Sequence, residues 1–250
     1  MTRVSVAIIT KDEEANIREC LESVKWADEI VVVDNGSTDH TLNICREYQA
    51  QLYQEEWKGY AGQKNSAIAK TLNEWVLSID ADERVTPALR QEIAKIMAEG
   101  PDRDGYYIAR KNFFLGRWIR RCGWYPDFNL RLFRKSRGKF LERAVHERIA
   151  ITGKLGYLEH PLEHWTYRSL SDFLTRMDRY STLAAREMAK EGKRFRFSDA
   201  LLRPPFTFVQ MYILRGGFKE GYLGFILSML YSFYTLVKYS KLREFQDRNL

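Results

Sequence analysis

Short β-branched runs alternate with segments of helical apolar spacing through the first hundred residues, and few folds accept that order. Val4–Ile9 is followed by Ile17, Leu21 and Val24 at helical spacing, and Glu29–Asp34 by Leu42, Cys45 and Tyr48. A third helix is predicted around Gln63–Leu72, then the strand Trp75–Asp80. Thr86 supplies an N-cap and Pro87 a first helical residue ahead of the stripe Leu89, Ile93 and Ile96. Strands separated by helices of about ten residues imply an α/β fold, with a mostly parallel sheet covered by helices on both faces. Ligands of such sheets sit beyond the carboxyl ends of the strands.

The polar residues collect at those ends: Thr10-Lys11-Asp12-Glu13, Asp34-Asn35-Gly36-Ser37-Thr38-Asp39 and Asp80-Ala81-Asp82-Glu83. Helix capping accounts for Glu13, Glu14 or Asp39 taken singly. It accounts less well for Asp80 and Asp82. Carboxylates at i and i+2 of an extended segment project to one side, where they repel unless a cation lies between or beside them. Hard divalent cations take such carboxylates together with substrate phosphates. Neither GxGxxG after the first strand nor GxxxxGK[ST] anywhere is present, which argues against a dinucleotide site and a P-loop. An aspartyl-phosphate phosphatase would place its carboxylate pair after the first strand, not the fourth.

Charge is distributed unevenly. Residues 1–100 hold 11 Lys/Arg against 18 Asp/Glu, whereas residues 101–250 hold 29 against 15. An acidic half that handles nucleotide and metal, joined to a basic membrane-facing half, has this profile. A nucleic-acid binder shares it, but the acidic strand ends would repel phosphates unless metal intervenes. Cys20, Cys45 and Cys122 are widely spaced and suit a reducing cytosol better than a disulfide framework. The N-terminus reads directly as a strand and not as a signal peptide.

VSVAIITKDEEANIRECLESV, EIVVVDNGSTDHT, GYAGQKNSAI and WVLSIDADE, in that order, resemble the inverting family 2 glycosyltransferases. WYPDFNLRLFRK, FLERAVHE and the C-terminal run from Tyr212 are similar to the bacterial subgroup that includes lipopolysaccharide-core β-glucosyltransferases. The resemblance spans essentially the whole chain. It implies a GT-A fold, a nucleotide-diphosphate sugar donor (UDP-linked), a divalent metal (Mg²⁺ or Mn²⁺) and inversion at the anomeric carbon. By the same resemblance Thr10, Asp12 and Glu13 line the nucleoside pocket, Asp34 reaches base or ribose, and Ser37 and Lys64 belong to the nucleotide site. Asp80 and Asp82 match the DxD motif, with Asp82 as direct metal ligand and Asp80 as ribose or outer metal partner. Gly123 falls in a loop approaching the donor sugar, and His164 matches a histidine that completes the metal or diphosphate contacts. Glu147 falls at the catalytic carboxylate, but the usual Glu-Asp is His146-Glu147 here, which leaves Asp127 as the alternative base.

The chemistry requires such residues. Metal stabilises the departing diphosphate, helped by Lys64 and an arginine from the basic stretch 103–139. A single carboxylate deprotonates the attacking hydroxyl. The expected organisation is a catalytic domain over 1–165, with a nucleotide and metal half (1–100) and an acceptor half (101–165), and a helical extension over 166–250. Leu170–Lys190 reads as an amphipathic helix, after which Lys193, Arg194, Arg196 and Arg203 interleave with Phe195 and Phe197. Gly221–Val237 is 17 residues without a charge, short of the roughly 20 that span a bilayer. It carries a small-residue stripe (Gly221, Gly224, Ser228, Ser232, Thr235) and an apolar one (Leu223, Leu227, Leu230, Tyr234, Val237). With Lys219, Lys238, Lys241 and Arg243 on its flanks, the extension is expected to associate with an anionic membrane surface. A buried helix is the alternative. The reading is thus a cytoplasmic enzyme, peripheral on the inner face of the plasma membrane. It acts on a lipid-linked or lipopolysaccharide glycan acceptor, with no nucleic-acid partner. The competing class is a catalytically silent module that binds membrane or nucleic acid. A sugar nucleotidyltransferase would need a glycine-rich nucleotide loop that VSVAIITKDEE lacks.

Overall fold

The computed structural model describes residues 2–141 and 148–247. Along the chain the elements are β1 (Val4–Thr10), α1 (Ile17–Val24), β2 (Glu29–Asp34), α2 (Thr41–Glu47), β3 (Gln51–Gln54), α3 (Gly59–Ala69), β4 (Trp75–Asp80), β5 (Glu83–Val85), α4 (Pro87–Glu99) and β6 (Gly105–Phe114). They continue with β7 (Arg117–Trp118), β8 (Asp127–Arg134), β9 (Gly138–Leu141), β10 (Arg148–Ile151), β11 (Leu155–Tyr157) and β12 (Leu162–Tyr167). The helices α5 (Leu170–Lys190), α6 (Phe197–Val209) and α7 (Tyr222–Asp247) close the chain. Two compact units result: residues 1–111 with 127–165, and residues 112–126 with 166–250.

The first unit is built on a mixed sheet ordered β3-β2-β1-β4-β8-β6-β12-β5. Strands β1 to β4 pair in parallel, and β8 joins β4 antiparallel. Side-chain alternation decides which helix meets which residue. Val4, Val6 and Ile8 of β1, with Trp75, Leu77 and Ile79 of β4, pack under α1, α2 and α4. Ala7, Val31, Val33 and Val76, on the opposite parity, pack under α3. Helices therefore cover both faces. The Thr86 hydroxyl caps α4 by accepting from Leu89 N at 3.2 Å, and Pro87 takes the first helical position. α3 begins at Gly59 and ends at Ala69, earlier at both ends than periodicity alone suggested. The three cysteines are buried free thiols, and burial pushes each thiol pKa up, that of Cys45 to about 12.

In the second unit, α5 starts at a Ser169 cap that accepts from Asp172 N at 3.0 Å. Its core is formed by Phe114, Trp124, Phe173, Met177, Met211 and Leu227. Both stripes read along α7 are used inside this unit. Leu223, Leu227, Leu230 and Tyr234 face the core. The small residues meet α6: the Ser232 hydroxyl donates to Pro204 O at 2.8 Å, and Thr235 and Thr207 hydroxyls lie 3.3 Å apart. The apolar face left bare is a third one, Tyr222, Phe225, Met229, Phe233 and Leu236. Lys241 does not extend to solvent as expected. Its ammonium donates to Asp178 O and Oδ1, Ser181 Oγ and Thr182 Oγ1, tying α7 to α5. Among the described residues no helix is long and apolar enough to cross a membrane.

Gly224 allows α7 to leave the short helical turn Gly217–Glu220 at close range, because a Cβ there would lie 1.9 Å from Gly217 O. Gly224→Ala is expected to destabilise this unit by roughly 1–3 kcal/mol or more, the cost of overpacking against backbone that cannot yield. Urea unfolding followed by circular dichroism checks it, and an unchanged midpoint contradicts it.

Candidate active site

The loops after β1 and β2 are laced together at the sheet's carboxyl edge. Asp34, fully buried at the end of β2, accepts from Gly36 N at 2.8 Å, Ser37 N at 2.9 Å and the Ser37 hydroxyl. Gly36 makes this turn with φ at +78°. Ser37 Oγ in turn accepts from Asp12 N at 2.8 Å, and Asp12 Oδ1 accepts from Thr38 N at 2.7 Å. The next pair repeats the exchange: Glu14 N donates to Asp39 Oδ2, and His40 N to Glu14 Oε2, both at 3.0 Å. Thr10, Asp12, Glu13, Asp34 and Ser37 are thus one construction. Its carboxylates satisfy backbone donors that would otherwise be orphaned at two helix approaches. Thr10 Oγ1 is buried there and has no hydrogen-bond partner among the described residues.

The acidic motif after β4 departs from the expectation that Asp80 and Asp82 project together. Residues 81–82 form a turn, so the two-residue alternation of an extended strand stops at Asp80. Asp80 shares the parity of Val76 and faces α3, where Lys64 Nζ lies 2.8 Å from its Oδ1. Arg131 Nη2 donates to Asp80 Oδ2 at 2.8 Å and also to Glu83 Oε1. Glu83 is completely buried, accepts from Asp80 N at 3.0 Å, and lies 3.4 Å from Arg110 Nη1. Arg110 then donates to Asp127 Oδ2, from Nε at 2.9 Å and from Nη2 at 2.5 Å. Lys64, Asp80, Arg131, Glu83, Arg110 and Asp127 therefore alternate in sign along one chain. The repulsion that suggested a metal beside Asp80 is met here by protein cations. Burial raises the Asp80 pKa, but the Lys64 ammonium and Arg131 guanidinium outweigh it and hold the carboxyl well below its usual range. Burial works against the Arg131 charge, yet Glu83 and Asp80 raise its pKa further still.

Asp82 has different company. Pairing of β5 with β12 sets His164 opposite Glu83 and brings His164 Nε2 to 3.4 Å from Asp82 Oδ2, with both side chains nearly buried. Trp165 N donates to Asp82 O at 2.9 Å and fixes the turn.

The chain and its fold are matched among known proteins. Residues 5–155 match the family described as Glycosyl transferase family 2. The chain belongs to that family. It is 34% identical to the lipopolysaccharide core biosynthesis glycosyltransferase LpsC of Rhizobium meliloti, over 94% of this chain and 91% of LpsC. It is 31% identical to an uncharacterized glycosyltransferase of Rickettsia typhi, over 98% of this chain and 88% of that protein. Among solved structures, S. aureus TarS 1-349 in complex with UDP-GlcNAc superimposes with a TM-score of 0.52 at 15% identity. The likeness covers 98% of this chain and 92% of that one, and it shows the GT-A fold.

Of the residues expected in the glycosyltransferase site, the structure brings together Thr10, Asp12, Glu13, Asp34 and Ser37. It separately joins Lys64, Asp80 and Asp127 in the ionic chain, and Asp82 with His164. Gly123 lies in the second unit with φ at +79°, where a Cβ would meet Arg215 Nη1 at 2.3 Å. Glu147 lies outside the described residues. Sequence reading missed Glu83, Arg110 and Arg131. The signal was partial: an acidic residue next to the DxD, and a basic stretch from which Arg131 was not singled out.

Because the Asp80 pKa is depressed, its contribution to stability is complete above the unfolded-state value of about 3.9 and is lost as pH falls through the folded value. Lys64→Met removes one of the two cations responsible. Its stability deficit relative to wild type is expected to be largest near neutrality and to shrink below about pH 4. Urea titrations at several pH values measure this, and a deficit independent of pH contradicts it.

Proposed function

We propose that this family 2 enzyme transfers a hexose from a nucleoside diphosphate, with UDP as the carrier, to a hydroxyl of a lipopolysaccharide-core or related lipid-linked glycan, inverting the anomeric carbon. The observation that carries the reading is the Asp82–His164 pair, held by the β5–β12 pairing in the same unit as the laced β1 and β2 loops. The relative named for lipopolysaccharide core biosynthesis supports the acceptor class. The TarS complexes with UDP and UDP-GlcNAc support the donor class.

The residues present fit a divalent cation. Among the described residues no three His, Cys, Asp or Glu side chains converge on one point. Mg²⁺ characteristically takes one or two protein ligands and completes its coordination with substrate phosphates and water. Two ligands each about 2.1 Å from one ion stand roughly 3–3.5 Å apart, and Asp82 Oδ2 and His164 Nε2 are 3.4 Å apart. A metal held there would supply Lewis-acid stabilisation of the departing diphosphate.

The chain's own residues do the rest. Asp12, Asp34 and Ser37 hold the loops in their final shape, and the buried Thr10 hydroxyl is a polar group for the nucleoside. Asp80, flanked by Lys64 and Arg131, serves as the ribose or outer metal partner, and its two cations keep it ionised. Glu147 takes the proton of the attacking hydroxyl, a general-base contribution of roughly 10²–10⁴-fold. Asp127 suits positioning better than proton abstraction, because Arg110 holds its Oδ2 from two nitrogens.

Two outcomes are expected. Asp82→Ala abolishes the additional thermal stabilisation that Mg²⁺ or Mn²⁺ gives to the UDP complex, measured by differential scanning fluorimetry; wild-type stabilisation in this variant contradicts the metal assignment. Glu147→Gln lowers sugar transfer by roughly 10²–10⁴-fold while UDP affinity stays within a factor of about three, whereas Asp127→Asn acts mainly on donor KM. Near-normal turnover in Glu147→Gln, with loss of turnover alone in Asp127→Asn, exchanges the two roles.

A further inference from the structure

The second unit leaves an unusual surface bare. Thirteen of the 21 exposed large hydrophobic side chains among the described residues fall between positions 197 and 236. Even at half exposure they amount to something on the order of 1,000 Å² in sum, and contiguous apolar patches beyond a few hundred Å² mark interaction surfaces. On α6 and the turn after it, Leu202, Phe206, Val209 and Ile213 recur at helical spacing and form one exposed stripe. The exposed stripe of α7 adjoins α6 through Phe225, whose ring lies 5.9 Å from Phe208 and 5.8 Å from Tyr212. Tyr212 carries the contact on to Phe218, half-exposed at the edge, with ring centroids 6.5 Å apart.

Next to Phe218 the character changes at once. Lys219 lines a cleft of about 420 Å³ together with Arg117, Arg120, Arg121, Trp118 and Glu220. Glu220 is spoken for inside the wall: its carboxylate accepts from Arg120 N at 3.0 Å and stands 3.7 Å from Arg117 Nη2. Four cations thus face one buried carboxylate. The Arg120 guanidinium stacks 4.4 Å over the Trp118 ring, which holds it at the cleft wall.

We propose that this face of the second unit docks on a phospholipid bilayer, with the α6 and α7 stripes at the acyl boundary and the Arg117–Arg120–Arg121–Lys219 cleft taking the phosphate of an anionic headgroup. Charge complementarity selects this occupant. An apolar field rimmed by cations matches an anionic bilayer, whose acyl and phosphate layers lie side by side. A second copy of the chain would offer that basic edge a half that is itself basic, with 29 Lys/Arg against 15 Asp/Glu over residues 101–250, and no anionic layer. On this proposal the expected membrane contact moves to another stripe of α7 and, Lys219 apart, to other cations than the sequence indicated.

The test uses the full-length protein and co-sedimentation with vesicles of phosphatidylcholine alone or mixed with phosphatidylglycerol. Wild type is expected to bind the anionic vesicles, less so at high salt, and the neutral ones weakly. Leu202→Asp combined with Phe206→Asp, both exposed, is expected to lose binding to both. Arg120→Ser with Lys219→Ser is expected to lower binding to the anionic vesicles by about thirtyfold, from about 1 kcal/mol per basic residue near such a surface, and to flatten the salt dependence. Glycerophosphate in solution is expected not to compete at concentrations that leave vesicles intact; full competition would mean a soluble phosphate site and overturn the bilayer assignment. Equal sedimentation of wild type and both variants overturns it too, as does a wild-type dimer that the Leu202→Asp/Phe206→Asp variant converts to monomer. Circular dichroism melting of each variant separates lost binding from lost folding, and the assay is independent of sugar transfer.

Discussion

The ionic chain from Lys64 to Asp127 crosses the seam at which the sheet changes character. β4 is the last of the parallel strands and β8 the first antiparallel one, and Arg131 of β8 joins Asp80 of β4 to Glu83 of β5. Charges removed from water are costly unless each is paired and hydrogen-bonded. Glu83 meets that condition with two arginines and a backbone donor; Arg131 meets it through Nη2, which serves two carboxylates, while its buried Nε finds no partner among the described residues. Removing one member would leave its neighbour buried and uncompensated, so the six residues behave as a unit. Because they come from α3, β4, β5, β6 and β8, their mutual satisfaction fixes five elements at once, and the DxD turn hangs from that framework.

The turn after β4 gives the two carboxylates of the motif different surroundings. Asp80 is committed to the scaffold by Lys64 and Arg131, and Asp82, one turn later, stands with His164. One carboxylate is strongly acidified by neighbouring cations, and the other stands beside the His164 imidazole.

The parallel half of the fold was legible because its signals are local. β-branched runs, helical stripes, the Thr86-Pro87 start and the Ser169 start all act within a few residues, and each element lies close to where they indicate. The polar strand ends were legible for the same reason, since they close three neighbouring strands, β2, β1 and β4. What sequence concealed depends on pairing across long stretches. Nothing near Arg131 says that it will face Asp80 rather than solvent; its parity with Phe133 and the antiparallel register of β8 on β4 decide that. The faces of α7 were misassigned for a related reason. Composition gave a small stripe and an apolar stripe, but only the positions of α5 and α6 determine which are consumed, and Lys241 is drawn inward by Asp178 for the same cause.

The β5–β12 pairing has a consequence for the order of events in biosynthesis. The turn that carries Asp82 emerges from the ribosome long before its partner strand, because His164 and Trp165 lie near the far end of the first unit. Contacts between residues so distant in the chain form late, since loop closure must precede them. A nascent chain stalled or cleaved before β12 would hold the laced β1 and β2 loops and much of the parallel core, yet lack the imidazole beside Asp82 and the strand that pairs with β5. Truncated products of this kind would therefore fold in part without the Asp82–His164 pair, which the first unit acquires only once β12 is in place.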